Sequence, residues 1–263
     1  MFTKRIFTTA ALALACAFTA GSALAQNALD NIMASKKLRV AVQTDSAPYG
    51  FVGTDLKPIG FDVDMARLIA RRLGAELELV VVVSASRIPA LQTNKADLVI
   101  ATLGKNAERE KVIDFTAAYS PFYQAVFGPK NSSAANFADL AGKTVGVTRG
   151  AMEDQELGKV APAATDTKRY EDNNATIAAF VSGQVQFVAL GASVAGNMMA
   201  RNPSLNAEYK LLLKDSPNFI GVAKGEDKLR AKVNEIIAEG RKSGELEALS
   251  KKWLGRGLGD LPA

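Results

Sequence analysis

The chain has 263 residues, 48% of them hydrophobic, with 32 basic and 27 acidic side chains and a formal net charge of +5. That length suits one large domain or two modest lobes, with apolar content enough for a sizeable core. Basic residues are interleaved with acidic ones, so no nucleic-acid partner is expected. The absence of histidine removes the commonest general base and the commonest zinc ligand.

Lys4 and Arg5, an apolar run over 6–20 and the small-x-small site Ala23-Leu24-Ala25 predict a secretory signal peptide over 1–25. A membrane-anchoring helix fits less well, because the apolar run is short and ends in a cleavage motif. Cys16 is the only cysteine, and Ala13-Leu14-Ala15 before it matches a lipid-attachment site only weakly. Cleavage would leave a mature chain with neither disulfides nor thiolate chemistry. The starting charge of +5 less Lys4 and Arg5 gives +3.

Residues 27–37 read as a short helix with Leu29, Ile32 and Met33 inward, and 37–42 as the first strand. A breaker-rich loop with Pro48, Tyr49, Gly50 and Phe51 follows. After Gly60, a helix of about a dozen residues carries the stripe Met65, Leu68, Ile69 and Leu73, and Gly74 stops it. Asp62 and Asp64 at its start are expected to complement the helix dipole. The β-branched run 77–83 predicts a buried strand, 88–93 a helix, and 97–101 another strand; this alternation argues for a parallel sheet with crossover helices. Pro121 interrupts the pattern, and 124–128 is extended. A second α/β unit then follows, with strands over 143–147 and 185–190 and a helix capped by Asn173 or Asn174. A strand over 220–223 precedes two closing helices.

The stretch 97–114 carries the most chemistry. A buried strand breaks at Thr102, Leu103 and Gly104 and enters a charged turn holding Arg109. It delivers a hydroxyl, a bare glycine backbone and a guanidinium to one rim, which predicts a carboxylate-binding corner. In open parallel sheets, ligands bind beyond the carboxyl ends of the strands. The loops after Val42, Val83, Ala101, Val147 and Leu190 should therefore share one crevice.

Asp45 with 48–51, the run Gly60-Phe61-Asp62-Val63-Asp64, the run Arg87-Ile88-Pro89-Ala90-Leu91, residues 97–109, Asp114-Phe115-Thr116, residues 140–147 and the run 244–255 ending Lys-Lys-Trp-Leu-Gly stand in a specific order. In these motifs the chain resembles the bacterial extracellular solute-binding proteins of family 3, the amino-acid receptors of ABC importers. The resemblance implies the type II periplasmic binding protein fold: an α/β chain with two α/β lobes joined by two crossover segments. Residues 26–122 and 219–263 would form lobe one, and 123–218 lobe two. It also implies a periplasmic location and delivery of ligand to an inner-membrane ABC permease. We expect a monomer that binds a small-molecule carboxylate and uses no cofactor or metal.

By this resemblance Arg109, Thr102 and Gly104 hold the ligand carboxylate, Gly104 offering only backbone where the family often has a hydroxyl. Ser84 with Arg87 matches the version found in receptors for aspartate and glutamate. Asp45 and Tyr49 belong to the same expected site. In lobe two, Arg149, Ala151 and Met152 occupy the turn that usually carries ligand-binding hydroxyls, with Arg149 equally placed for cleft or surface. The family usually has an aspartate at the position of Ala192 to pair with the ligand's α-ammonium, and an alanine cannot. Either another acid, such as Glu153, Asp154 or Asp45, takes that role, or the ligand has no α-amine and is an organic acid or dicarboxylate. The alternatives are a dehydratase-like enzyme on the same scaffold and a ligand-presenting partner of a membrane sensor.

Overall fold

A computed structural model describes residues 27–262; the predicted signal peptide and Cys16 lie outside the described residues. The chain begins with α1 (Ala28–Ser35) and β1 (Lys37–Val42), then the small strands β2 (Asp45–Ser46), β3 (Gly50–Val52) and β4 (Pro58–Ile59). Next come α2 (Phe61–Leu73), β5 (Glu76–Val81), α3 (Arg87–Gln92), β6 (Leu98–Val99), the short α4 (Ala107–Glu110) and β7 (Ile113–Ser120). A second unit holds β8 (Tyr123–Pro129), β9 (Thr144–Thr148), α5 (Met152–Val160), β10 (Asp166–Tyr170), α6 (Asn173–Val181), β11 (Phe187–Gly191), α7 (Ala192–Arg201) and β12 (Ala207–Asp215). The chain then returns through β13 (Asn218–Ala223), α8 (Asp227–Ser243) and α9 (Glu245–Leu254).

Two five-stranded sheets result, ordered β5-β1-β6-β13-β7 and β10-β9-β11-β8-β12. We call the bodies around them lobe one and lobe two. The chain passes between them twice, from β7 to β8 and from β12 to β13. The parallel arrangement expected from sequence holds for β5-β1-β6 and β10-β9-β11. The strands nearest the crossings depart from it: β13 runs antiparallel to β6 and β7, and β8 antiparallel to β11 and β12. A strand that has just entered or is about to leave a lobe needs no crossover helix beside it.

Each sheet carries an apolar cluster on both faces. The predicted stripe of α2 is buried against the first sheet: Met65, Leu68, Ile69 and Leu73 are each at most 4% exposed. Each contributes about 1.5–3 kcal/mol. Gly74 ends the helix in the left-handed conformation at φ 62°, which costs glycine little.

The run at 77–83 differs from expectation. It forms β5, which ends at Val81 and is only partly buried, because it is an edge strand. Strands β10 and β12 were not evident from sequence; β10 is polar and mostly exposed, and β12 forms the other edge of its sheet. The cap of α6 is Asp172, whose carboxylate accepts from the Ala175 N–H, so Asn173 is the first helical residue.

Candidate functional site

The carboxyl ends of β1, β6, β9 and β11 face one another across the two lobes, as the strand-end argument requires. Between them lies a cavity lined by Ser46, Ser84, Arg87 and Thr102 from lobe one, Phe122 and Gln124 at the first crossing, and Ala151, Met152, Glu153, Asn173, Gly191 and Val194 from lobe two. With the lobes closed its volume is about 20 Å³ for the centre of a water-sized sphere, room for about one water. A depression of about 740 Å³ on lobe two takes no residue from lobe one.

Arg87 is 3% exposed and dominates the lobe-one wall. Its Nε donates to the Ser84 carbonyl at 3.0 Å, and its Nη1 to the carbonyls of Ala101 at 2.9 Å and Thr102 at 3.2 Å. Its Nη2 has only a long contact, 3.4 Å to the Gly150 carbonyl across the cleft, and is the donor most available to a ligand. Gln43, which sequence reasoning missed, knits this wall together. Its amide donates to Ser84 Oγ at 3.0 Å and Asp45 Oδ1 at 3.2 Å, and its carbonyl oxygen accepts from Thr102 Oγ1 at 3.1 Å.

Arg109 stands beside this cavity rather than in it. It lines an adjoining pocket of about 160 Å³ together with Ser84, Arg87, Gly150 and Gln155. Asn106 caps its short helix, Nη1 donates to the Gly104 carbonyl at 2.8 Å, and Nη2 to the Gly150 carbonyl at 3.1 Å. Its Nε is buried without a partner. Burial pulls the Arg109 guanidinium down to about 9, and the neighbouring Arg87 adds to this. Burial likewise lowers Arg87, opposed by Glu153 and Asp45. Both guanidiniums hydrogen-bond only to neutral oxygens, an arrangement that favours an anion between the lobes.

Gly104 does not line the central cavity. A Cβ there would stand 2.6 Å from Met152 Cε, so the absent side chain lets lobe two close onto this loop.

Lobe two supplies acceptors. Glu153, in the first turn of α5, is 7% exposed and lines the cavity. Burial holds its carboxyl above the usual carboxylate range, against the pull of Arg87 and Arg109. Gln124 is 1% exposed, and its Oε1 has no hydrogen-bond partner. At the end of β11 the cavity residue is Gly191, where an added Cβ would stand 2.1 Å from the Phe122 ring. Ala192 instead lines an outer groove with Arg201, Trp253 and Arg256.

Other expected site residues sit elsewhere. Tyr49 is fully buried in the lobe-one core; its hydroxyl donates to the Pro121 carbonyl at 2.6 Å and its ring packs edge-on against Phe122. Arg149 is exposed just after β9 and lines neither the cavity nor the pocket beside it. Asp45 does not line the cavity; its Oδ2 accepts from the Asn173 N–H at 2.8 Å, and Asn173 Nδ2 donates to Ser46 Oγ at 2.9 Å. Asp45 of lobe one thus complements the N-terminus of lobe-two helix α6. Asp45→Ala is expected to loosen the closed state, seen as a larger ligand-free radius of gyration by small-angle scattering.

Asp62 stands in the first turn of α2, as expected, but it is buried and bonded to other elements. It is 1% exposed, and its carboxylate accepts from the Thr102 N–H at 2.9 Å and the Tyr119 hydroxyl at 2.6 Å. Burial pushes its carboxyl up to about 6 from 3.8, partly offset by these bonds and by Arg87. The folded state therefore favours the neutral form. Its contribution to stability is present below 3.8 and lost as pH rises through about 6. Asp62→Asn escapes that loss, so its melting temperature relative to wild type should rise between pH 4 and pH 7.5, by the equivalent of about 3 kcal/mol at most.

Among the described residues no cluster of acidic side chains could hold a metal ion, and no helix is long and apolar enough to cross a membrane.

The chain is 27% identical to the L-cystine-binding protein TcyJ of Escherichia coli (strain K12), over 93% of this chain and 92% of that protein. Its fold superposes on a mutant of the arginine-binding protein ArgBP from T. maritima with a TM-score of 0.80 and 31% identity, over 87% of this chain and 99% of the other. It also superposes on the ancestral amino acid-binding protein AncCDT-1, a precursor of cyclohexadienyl dehydratase, with a TM-score of 0.76 and 28% identity, over 86% of this chain and 98% of the other. The family model for bacterial extracellular solute-binding proteins, family 3, matches residues 38–256, strand β1 through the turn after α9, and the chain belongs to that family.

Proposed function

We propose that the protein is the periplasmic receptor of an ABC importer. It binds one amino acid between its lobes and delivers it, as a monomer, to an inner-membrane permease. The carboxylate lies against Arg87 and Ser84, beside Thr102, whose N–H and hydroxyl are given to Asp62 and Gln43, with Arg109 bracing the closed lobes behind them. The ammonium lies against Glu153 and Gln124, which replace the acid missing from the turn after β11.

The observation that carries this reading is the polarity of one small cavity. Donors stand on its lobe-one wall, and an unpartnered buried acceptor and a buried carboxylate stand opposite. A dicarboxylate would satisfy the guanidiniums but set a second anion near Glu153, whereas an α-amino acid serves both walls. The relatives named for L-cystine and arginine agree with an amine-bearing ligand. They are binding proteins, which favours transport over turnover; the dehydratase precursor, itself described as amino acid-binding, keeps an enzyme as the second reading.

A thermal-shift screen tests the proposal with L-cystine, L-arginine, L-glutamine, L-glutamate and the deaminated counterpart glutarate. A cognate amino acid at 100-fold excess over its Kd should raise the melting temperature by about 5–10 °C. Stabilisation by glutarate with none by the amino acids would refute the amine site. Product appearing by mass spectrometry on incubation with cyclic carboxylates would establish an enzyme.

A further inference from the structure

Thr102 is a non-glycine residue in the left-handed region, at φ 45°. A β-branched side chain there is an outlier that surrounding structure must hold in place. The ordered carboxyl end of β6 depends on it: Arg87 Nη1 donates to the carbonyls of both Ala101 and Thr102, and Thr102 Oγ1 donates to Gln43. Besides Gln43, a second residue outside the cavity reaches this turn. Asp62, 40 positions earlier in α2, takes the Thr102 N–H on Oδ2 and the Tyr119 hydroxyl on Oδ1.

We propose that Asp62 is the positioning residue of the ligand site: by accepting the Thr102 N–H it fixes the left-handed turn whose carbonyls seat Arg87. The inference rests on the reading that Arg87 and Thr102 meet the ligand. What the turn needs is an acceptor, which a carboxylate and an amide oxygen both supply and a methyl group does not. Asp64, two residues on, is half-buried and bonds Arg67, Lys252 and Trp253, whereas Asp62 gives both oxygens to the turn after β6 and to β7. Burial that favours the neutral acid shows what the fold gives up to keep a carboxyl group here.

The test compares wild type, Asp62→Ala and Asp62→Asn by amide hydrogen exchange at Thr102 and by calorimetry. The calorimetric probe is whichever of L-cystine, L-arginine and L-glutamine binds wild type tightest. Asp62→Ala should lose Thr102 protection and weaken binding by about 10–100-fold, while Asp62→Asn keeps protection and stays within about threefold. Wild-type affinity and protection in folded Asp62→Ala would overturn the proposal, as would an equal loss in both variants. If Asp62→Ala does not fold, Tyr119→Phe replaces it. That variant leaves the Thr102 bond intact, so retained affinity and Thr102 protection support the proposal and loss of both overturns it. A Thr102 amide that exchanges fast in the wild-type chain also overturns it. If no amino acid binds wild type, the receptor reading fails, and exchange at Thr102 still decides the role of Asp62.

Discussion

Replacing Arg87 with alanine is expected to weaken binding of the cognate amino acid by at least about 30-fold, because it deletes one partner of a buried, charge-assisted pair. Arg87 is 3% exposed, and its Nη1 and Nε are already committed to the carbonyls of Ala101, Thr102 and Ser84. Those bonds fix the plane of the guanidinium, leaving Nη2 to meet a carboxylate with little entropy left to lose. Arg87→Lys keeps the charge but not the fixed fork, and should recover only part of the affinity. Calorimetry reads the affinity, and the melting temperature of each ligand-free variant separates folding from binding. Unchanged affinity in Arg87→Ala would remove the lobe-one half of the site.

Glu153→Gln should produce the second large effect, and it acts on discrimination. It keeps the size of the side chain and removes the charge. Affinity for an α-amino acid should fall by about 10–100-fold, while glutarate binds no worse than before. Burial raises the Glu153 carboxyl, so affinity in wild type should decline as pH drops through that raised range, and the variant should show no such step. Stability moves the other way. A raised carboxyl contributes stability below its ordinary 4.5 and loses it as pH rises. Ligand-free Glu153→Gln should therefore melt higher than wild type at pH 7.5, an exchange of stability for function.

Much of the frame could be read from the chain. The stripe of α2 with its Gly74 stop, the strand at β1 and the restart after Pro121 follow from local periodicity and breakers, which depend on neighbours in sequence. The break of β6 into Thr102 and the turn holding Arg109 were equally legible. What failed was whatever depends on tertiary partners. Gln43 and Gln124 carry no local signal, and Asn173 signals only a helix start; each gains its role at the site only when strand ends from both lobes meet. Asp45 and Tyr49 are expected in the site from the family resemblance of their loop, yet one joins the lobes through Asn173 and the other fills the core beside Phe122. Asp62 and Asp64 look alike in a helix start, and only packing sends one inward to Thr102 and the other outward to Lys252. Where β11 passes directly into α7, neighbours in sequence part company: Gly191 lines the cavity and Ala192 an outer groove.

The most direct test is a crystal structure of the protein with the amino acid that stabilises it most. One molecule is expected in the interlobe cavity, its carboxylate about 2.7–2.9 Å from Arg87 Nη2 and its amine within hydrogen-bond reach of Glu153 and Gln124. An amino acid bound in the reverse orientation, or seated in the lobe-two depression beside Phe180 and Lys143, would contradict it.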